Sequence, residues 1–542
     1  MLKKIYRYLL INNHTIDCLV VIYCLWSIFC YCFNNIESGR VFSWGLYVNT
    51  HIRNILLFGS VYSIFRLLSV FGYCYFRLVC YIFFGICILK ELYYCCQQLY
   101  HKEKLLVGTF DSPGILGGLI AIVMSLFVAS VLKNKKWFYL LLTIPFLYIL
   151  LKTGSRASWL SFLVASVLMV CLSSNHNKFK VFRYISFIMI LLILIYLLYI
   201  LRKETADSRI FMAILILKNI RNIGFFGEGL GNYCGFYGRA LYDYFINLSN
   251  GNTNNTIFGL SELIDKSICV GIPDCSYNEI LRITVENGII GFVITLILSV
   301  LTLHRLYLNR NVLVFGYISL IVFSQFSFPY LYSIYHCIYA VFLAAGASLN
   351  QKSETNKYTY KYITIVTSLF IIAHGYCTKQ TEKLDLKNNL VLMNEFYKSE
   401  MYSKVIDIAS NLYINQYCSS SFLMQYGNSL TITEDYSKCK RILMHGIEMS
   451  ASPSFWKYLG DNSVCIGDYL KAEQQYIHSF IIAPNRIRPL YDLAKLYSIT
   501  TENDKLKCVI DYAKHFSPKI KNSKYQYMKN EILKMEDYSH DR

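Results

Sequence analysis

Apolar runs and polar gaps alternate along the first three-quarters of the chain. The runs fall near 16–33, 54–71, 74–94, 114–132, 137–151, 157–173, 181–201, 287–303, 312–329, 336–349 and 361–376. A helical membrane span takes about 20 residues, so this pattern predicts an all-α, polytopic membrane domain of about eleven spans over residues 1–376. Several runs fall short of that length, and their ends can slip by a turn. One polar interval is much longer than the others, the loop 203–286. A loop of that size between spans is usually either functional or disordered. Its ordered Gly and Tyr punctuation favours function.

The pattern changes after Tyr376. Residues 377–542 read as a separate helical domain with amphipathic periodicity. Trp456, Leu459, Gly460, Ala472, Tyr476 and Pro484 match the tetratricopeptide pattern, and Leu490, Leu493, Ala494, Tyr497, Ala513 and Pro518 form a weaker copy. Pro484 and Pro518 lie one repeat period of 34 residues apart. A degenerate copy is expected over 420–452. Such helix pairs stack into an α-solenoid with a concave face, here a surface for a protein partner through 420–520. A plain helical bundle is the alternative.

Charge sets the orientation. The chain carries a formal net charge of +19 and a mean hydropathy of +0.37. Much of the Lys and Arg sits in short links between spans: Lys3, Lys4 and Arg7; Lys133, Lys135 and Lys136; Lys178, Lys180 and Arg183; Arg305 and Arg310; Lys352, Lys357 and Lys361. Placing these links inside puts the N-terminus in the cytoplasm. The long loop and the tail then face outward, which in a bacterium is the periplasm. The charge is therefore topological, and nucleic acid is not an expected partner. The first run lacks a small-residue cleavage site and reads as an uncleaved span. The 19 cysteines lie mostly in apolar runs, where Cys acts as a small hydrophobe. No zinc-type spacing occurs. Cys234, Cys269 and Cys275 lie in the loop, where an oxidising compartment would permit a disulfide.

Several polar residues stand where chemistry is plausible. Arg156, in Gly154-Ser155-Arg156-Ala157-Ser158-Trp159, marks the outer start of the sixth span. An Arg there either snorkels to the interface or meets an anion. Its outward position, against the charge rule, favours the anion. Arg209 follows the seventh span, and its planar fork suits phosphate. Gly227-Glu228-Gly229-Leu230-Gly231 lacks the flanking βαβ unit of a dinucleotide site. It reads instead as a tight turn whose amides approach a ligand, with Glu228 as a candidate base. Asn278, Arg282 and Glu286 share one helix face, so Arg282 either pairs with Glu286 or helps line a catalytic cavity. Tyr277 beside Asn278 offers a hydroxyl.

Taken in order, Gly108-Thr109-Phe110-x-Ser-Pro113-Gly114, Ser155-Arg156-Ala157-x-Trp159-Leu160, Arg209, Gly227-x-Gly-x-Gly-Asn-Tyr233, Asn278-Glu279-x-Leu281 with Glu286-x-Gly288-x-x-Gly291, and Ser327-Phe328-Pro329 resemble the O-antigen ligase and polymerase superfamily. The resemblance covers roughly residues 80–350, and the tail resembles that of ligase-like proteins of Bacteroidota. It implies a GT-C-like glycosyltransferase of the inner membrane, requiring neither metal nor other cofactor. Such an enzyme moves a glycan from a polyprenyl diphosphate to an acceptor, either lipid A core or a protein hydroxyl. Arg156 and Arg209 would bind the diphosphate; Glu228, Tyr277, Asn278 and Glu286 would form the catalytic set. One departure is notable: ligases of this kind usually carry His before the Asn of the last motif, and here Tyr277 stands there. A phenol with an ordinary pKa near 10 is a poor base, so Asp274, Glu279 or Glu228 would take that role. A repeat-unit polymerase is the alternative within the class. A transporter or a non-catalytic scaffold are the alternatives outside it.

Overall fold

The computed structural model describes residues 14–37, 50–69, 72–173 without 104, 189–248 without 191, 194 and 202, 275–348, 357–414 without 384, and 419–540 without 519 and 520. It is all-helical, with 84% helix and no strand among those residues. In chain order the described chain begins with α1 (Thr15–Glu37), α2 (Thr50–Leu68), α3 (Tyr73–Tyr100), α4 (Pro113–Lys133), α5 (Ile144–Lys152) and α6 (Arg156–Ser173). It continues with α7 (Lys203–Lys218), α8 (Tyr233–Leu248), α9 (Glu279–Leu308), α10 (Leu313–Phe326), α11 (Ser333–Ser348) and α12 (Lys357–Lys383).

Four of these are long and apolar enough to cross a membrane: Thr15–Asn34, Cys74–Tyr100, Pro113–Lys133 and Glu279–Leu308. The other expected runs do not reach that length and hydropathy among the described residues. Arg156–Met169, Leu313–Phe326 and Ser333–Ser348 are apolar but shorter. The expected run at 137–151 divides into a 3-10 segment, Trp137–Thr143, and α5, which restarts with Pro145 in its first turn. Proline has no amide hydrogen to give, so it tolerates only the opening of a helix. Most of the expected run at 181–201 lies outside the described residues.

Small residues let the helices close on one another, as membrane packing favours. α4 is buried along most of its length and packs on α6 and α10. Gly117 meets Ser158 and Thr153, Gly118 meets the Phe323 ring, and Gly316 meets Leu126. α2 packs on α11 and α12, with Gly59 against Phe370. α9 packs on α1 and α11, with Gly346 against Thr302. Buried charge gathers at one end of this bundle. Arg66 donates to Asp17 from Nε at 2.9 Å and from Nη2 at 3.2 Å, and Tyr62 donates to the same carboxylate at 2.5 Å. Arg305, near the last turn of α9, lies within electrostatic reach of this group. The start of α1 and the ends of α2 and α9 therefore share one side.

The tail contains α13 (Leu386–Lys398), α14 (Tyr402–Ile414), α15 (Ser420–Ile432), α16 (Tyr436–Met449), α17 (Pro453–Ile466), α18 (Tyr469–Ile482), α19 (Arg488–Thr500), α20 (Asn503–His515) and α21 (Ser523–His540). Each helix packs on the next, and α15, α17, α19 and α21 also meet in sequence. Matching residues do matching work in successive pairs. Ser419 and Ser452 cap α15 and α17; Asp435 and Asp468 cap α16 and α18. These oxygens satisfy amides that the first turn leaves open. Gly427 receives Leu443, and Gly460 receives the Tyr476 ring.

The tail does not hang free of the loop. α8 packs on α16 and α18, and Tyr237, Leu241 and Phe245 share one core with Phe480, Ile481 and Leu490. Across this junction the His478 ring lies 3.7 Å from Tyr242 on one face and 3.7 Å from Trp456 on the other.

Burial in this stack pulls the His478 pKa from 6.5 down to about 3. The folded chain thus holds a neutral imidazole, whereas the unfolded chain takes a proton below about 6.5. The contribution of the stack is complete above that pH and is lost as pH falls toward 3. Melting temperatures measured between pH 7.5 and 5 should therefore fall less steeply for His478→Phe than for the wild type. Equal slopes would contradict a buried neutral His478.

Candidate active site

The site is built around a break in α9. Gly288 leaves the helix at φ +69° and ψ −174°. Carbonyls opened by such a break must find donors, since an unsatisfied group in a membrane interior costs several kcal/mol. Each of the three carbonyls before Gly288 has one. Val285 accepts from the Glu228 amide at 2.8 Å, and Glu286 accepts from the Gly229 amide at 3.1 Å. Asn287 accepts from the Trp26 indole at 2.9 Å. The Gly227 turn therefore sits directly on the break. A Cβ on Gly227, at φ +72°, would stand 2.4 Å from the Gly288 nitrogen; one on Gly288 would stand 2.0 Å from the Phe225 oxygen. Two glycine motifs that lie some sixty positions apart in the chain are one backbone contact.

The stretch of α9 before the break carries the polar residues. Asn278 is its N-cap: Oδ1 accepts from Leu281 N at 3.0 Å, and Nδ2 donates to the Gln325 carbonyl at 3.2 Å. Arg282 donates to Glu279 at 2.6 Å and to Glu286 at 2.8 Å, all three side chains being buried. Glu279 also accepts from the Tyr330 amide at 2.9 Å, fixing the Pro329 turn. Of the two readings of this helix face, the ion pair is the one observed. Glu286 is engaged by Arg282 and does not line the cleft described next.

That cleft, of about 170 Å³, opens between α7, the start of α8, the start of α9 and the end of α10; Arg209, Tyr233, Ser276, Tyr277, Asn278, Gln325 and Phe326 are on its wall. Arg209 Nη1 donates to the Phe326 carbonyl at 3.0 Å, and its guanidinium lies 4.0 Å above the centre of the Tyr277 ring. One carbonyl and one π-face thus hold the fork in place, a geometry worth about 0.5–2 kcal/mol from the ring. Burial draws the Arg209 pKa below its ordinary value, yet a guanidinium stays charged. Burial likewise raises the Tyr233 phenol above the usual tyrosine range.

The remaining sequence candidates fall elsewhere. Arg156 donates to the Leu198 carbonyl at 2.8 Å and to Thr205 Oγ1 at 2.6 Å. Thr205 lies one turn before Arg209 on α7, so both arginines attach to the same helix, but only Arg209 lines the cleft. Glu228 pairs with Arg239 at 2.5 Å and is also off the cleft wall. Asp274 and Cys269 lie outside the described residues. Cys234 and Cys275 are not in a disulfide among the described residues. The titratable groups on the cleft wall are Arg209, Tyr233 and Tyr277, with no carboxylate among the described residues. Among those residues, no three His, Cys, Asp or Glu side chains group to hold a metal ion.

Sequence reasoning missed Trp26, Gln325 and Glu91. Trp26 read only as part of the first span. Glu91 was the one signal to be found, a lone carboxylate in an apolar run. It is buried and accepts from both the amide and the hydroxyl of Thr109, at 2.8 and 2.6 Å, which explains the Gly108-Thr109 motif. No family model, curated protein or solved structure matches the chain.

The buried triad makes Arg282 structural. Arg282→Met would leave Glu279 and Glu286 without a cation, at a cost of roughly 3–5 kcal/mol. The melting temperature in detergent should drop sharply and recover in part when Glu279→Gln and Glu286→Gln are added. A single variant as stable as the wild type would contradict the arrangement.

Proposed function

We propose that the protein is a membrane glycosyltransferase that moves a glycan en bloc from a polyprenyl diphosphate to an acceptor hydroxyl, as an O-antigen ligase or a protein O-oligosaccharyltransferase. The observation that carries this reading is Arg209, a half-buried cation fixed by Phe326 and Tyr277 in a cleft beside a broken membrane helix. In the reaction the acceptor oxygen attacks the anomeric carbon, the bond from that carbon to phosphate breaks, and the diphosphate leaves with added negative charge. A fixed guanidinium opposes that charge where it develops. Arg156, on α6, reaches α7 through Thr205 and acts as the second, outer contact to the carrier. Tyr277 serves as the platform for Arg209. Glu279 and Glu286 are buried against Arg282, whereas Glu228, though paired with Arg239 and off the cleft wall, keeps contact with solvent, so this reading gives the acceptor proton to Glu228 or Asp274. Asn278 sets the start of α9 rather than touching the reacting atoms.

The eleven-span topology completes this reading, with the N-terminus cytoplasmic and the loop and tail periplasmic. The basic links support that orientation. The tail helices are read as tetratricopeptide-like pairs. Their repeated caps and glycine contacts support that reading, and they offer a surface to a protein partner.

A broken helix also belongs to transporters, where unwound carbonyls coordinate the transported ion. Here Glu228, Gly229 and Trp26 already occupy the three carbonyls at the break. That favours a fixed scaffold for the cleft over an ion site.

Charge-assisted hydrogen bonds from an Arg fork are worth roughly 1.5–3 kcal/mol each. A loss of about 3 kcal/mol is more than a hundredfold in rate. With a lipid diphosphate-linked glycan as donor, Arg209→Ala should transfer at under about one-hundredth of the wild-type rate. Arg209→Lys should recover only part of that, because charge returns without the fork. Tyr277→Phe keeps the ring face and should retain measurable transfer, while Tyr277→Ala should not. Wild-type transfer by Arg209→Ala would leave a scaffold as the better reading. A Tyr277→Phe variant as inactive as Arg209→Ala would make the phenol itself the base.

A further inference from the structure

Helix α8 stands between the cleft and the tail and touches both. At its start Tyr233 is part of the cleft wall. Along its side Tyr244 meets Phe211 of α7 edge to face, ring centres 5.2 Å apart, and α7 carries Arg209. On the tail side α8 is pressed closely against another backbone. A Cβ on Gly235 would fall 1.8 Å from the Glu448 carbonyl oxygen, and one on Gly238 would fall 2.9 Å from the Ala451 Cα. The same side carries Tyr242, which lies parallel to His478 with an interplanar angle of 1°. Trp456 closes the other face of the imidazole at 19°.

A tail that served only as a tethered binding module would need none of this. A flexible tether has no use for two glycines that admit a backbone at contact distance, nor for a ring held on both faces. Stacked aromatic rings have a preferred geometry and resist sliding. Glycine contacts fix the separation of the backbones, and the stack fixes their register.

We propose that the tail positions the Arg209 cleft through α8, and that His478 and Trp456 are positioning residues for that site. Tail docking sets α8, which places Tyr233 on the cleft wall and holds α7 through Phe211 and Tyr244. The inference rests on the reading of the cleft as an anion site. Its occupant would then be bound tightly only when the tail is seated.

The test uses the full chain in lipid nanodiscs, with inorganic pyrophosphate as the probe. Affinity and hydrogen exchange over 203–218 and 233–248 are measured for the wild type and for His478→Ala, His478→Phe, Tyr242→Ala and Arg209→Ala. His478→Ala should weaken pyrophosphate binding about tenfold and speed exchange in both loop helices. His478→Phe, which keeps a flat ring, should restore both. Tyr242→Ala attacks the same stack from the loop side and should match His478→Ala, which covers the case that one variant fails to fold. Faster exchange confined to the tail, or wild-type affinity in both alanine variants, would overturn the proposal. So would failure of His478→Phe to rescue. Unchanged binding in Arg209→Ala would remove the anion-site reading instead; the exchange over 203–218 and 233–248 would then decide the coupling by itself.

Discussion

The site depends on the seat of the Gly227 turn on the break at Gly288. A membrane helix can stop being a helix only where other groups take over its hydrogen bonds. Here the amides of Glu228 and Gly229 and the indole of Trp26 do so. That exchange links the loop, the first helix and α9 into one unit. It also fixes where the start of α9 stands, and with it Asn278, Tyr277 and Ser276. The glycines are required because both backbones pass where any Cβ would collide.

Charge is distributed to the same end. Within α9, one arginine holds two carboxylates and thereby holds the Pro329 turn through Glu279. The buried triad is a structural clamp beneath the cleft, and the cation in the cleft is a different arginine on a different helix. Keeping these roles apart leaves Arg209 facing a wall of Tyr, Asn, Gln and Ser, with no carboxylate on it among the described residues. On the far side, α8 carries the tail, so that a domain distant in the chain adjoins the cleft through one helix.

Much of the architecture was legible in the residues. Apolar periodicity gave helices throughout. The i, i+4 spacing of Arg282 and Glu286 offered their ion pair as one of two readings, and the structure shows the pair. Single-span lengths were less legible, because Pro145 splits a run that hydropathy alone joins, and because helices buried against one another need not reach full span length. Candidate site residues separated along the same line. Arg209 reached the cleft; Glu228 and Glu286 did not, because charges in a sequence do not declare their partners. The contact of Gly227 with Gly288 was out of reach, since each motif alone only says that a backbone passes close to something. The stack of Tyr242, His478 and Trp456 was equally hidden: its members come from the loop and from two tail helices.

The central claim is that Arg209 receives a diphosphate. A structure of the full chain in nanodiscs, determined with a polyprenyl diphosphate bound, tests it most directly. The account predicts the phosphates within hydrogen-bond distance of the Arg209 guanidinium, beside Tyr277 and the Phe326 turn. Phosphates bound elsewhere, with Arg209 still held by Phe326 and Tyr277 alone, would contradict it.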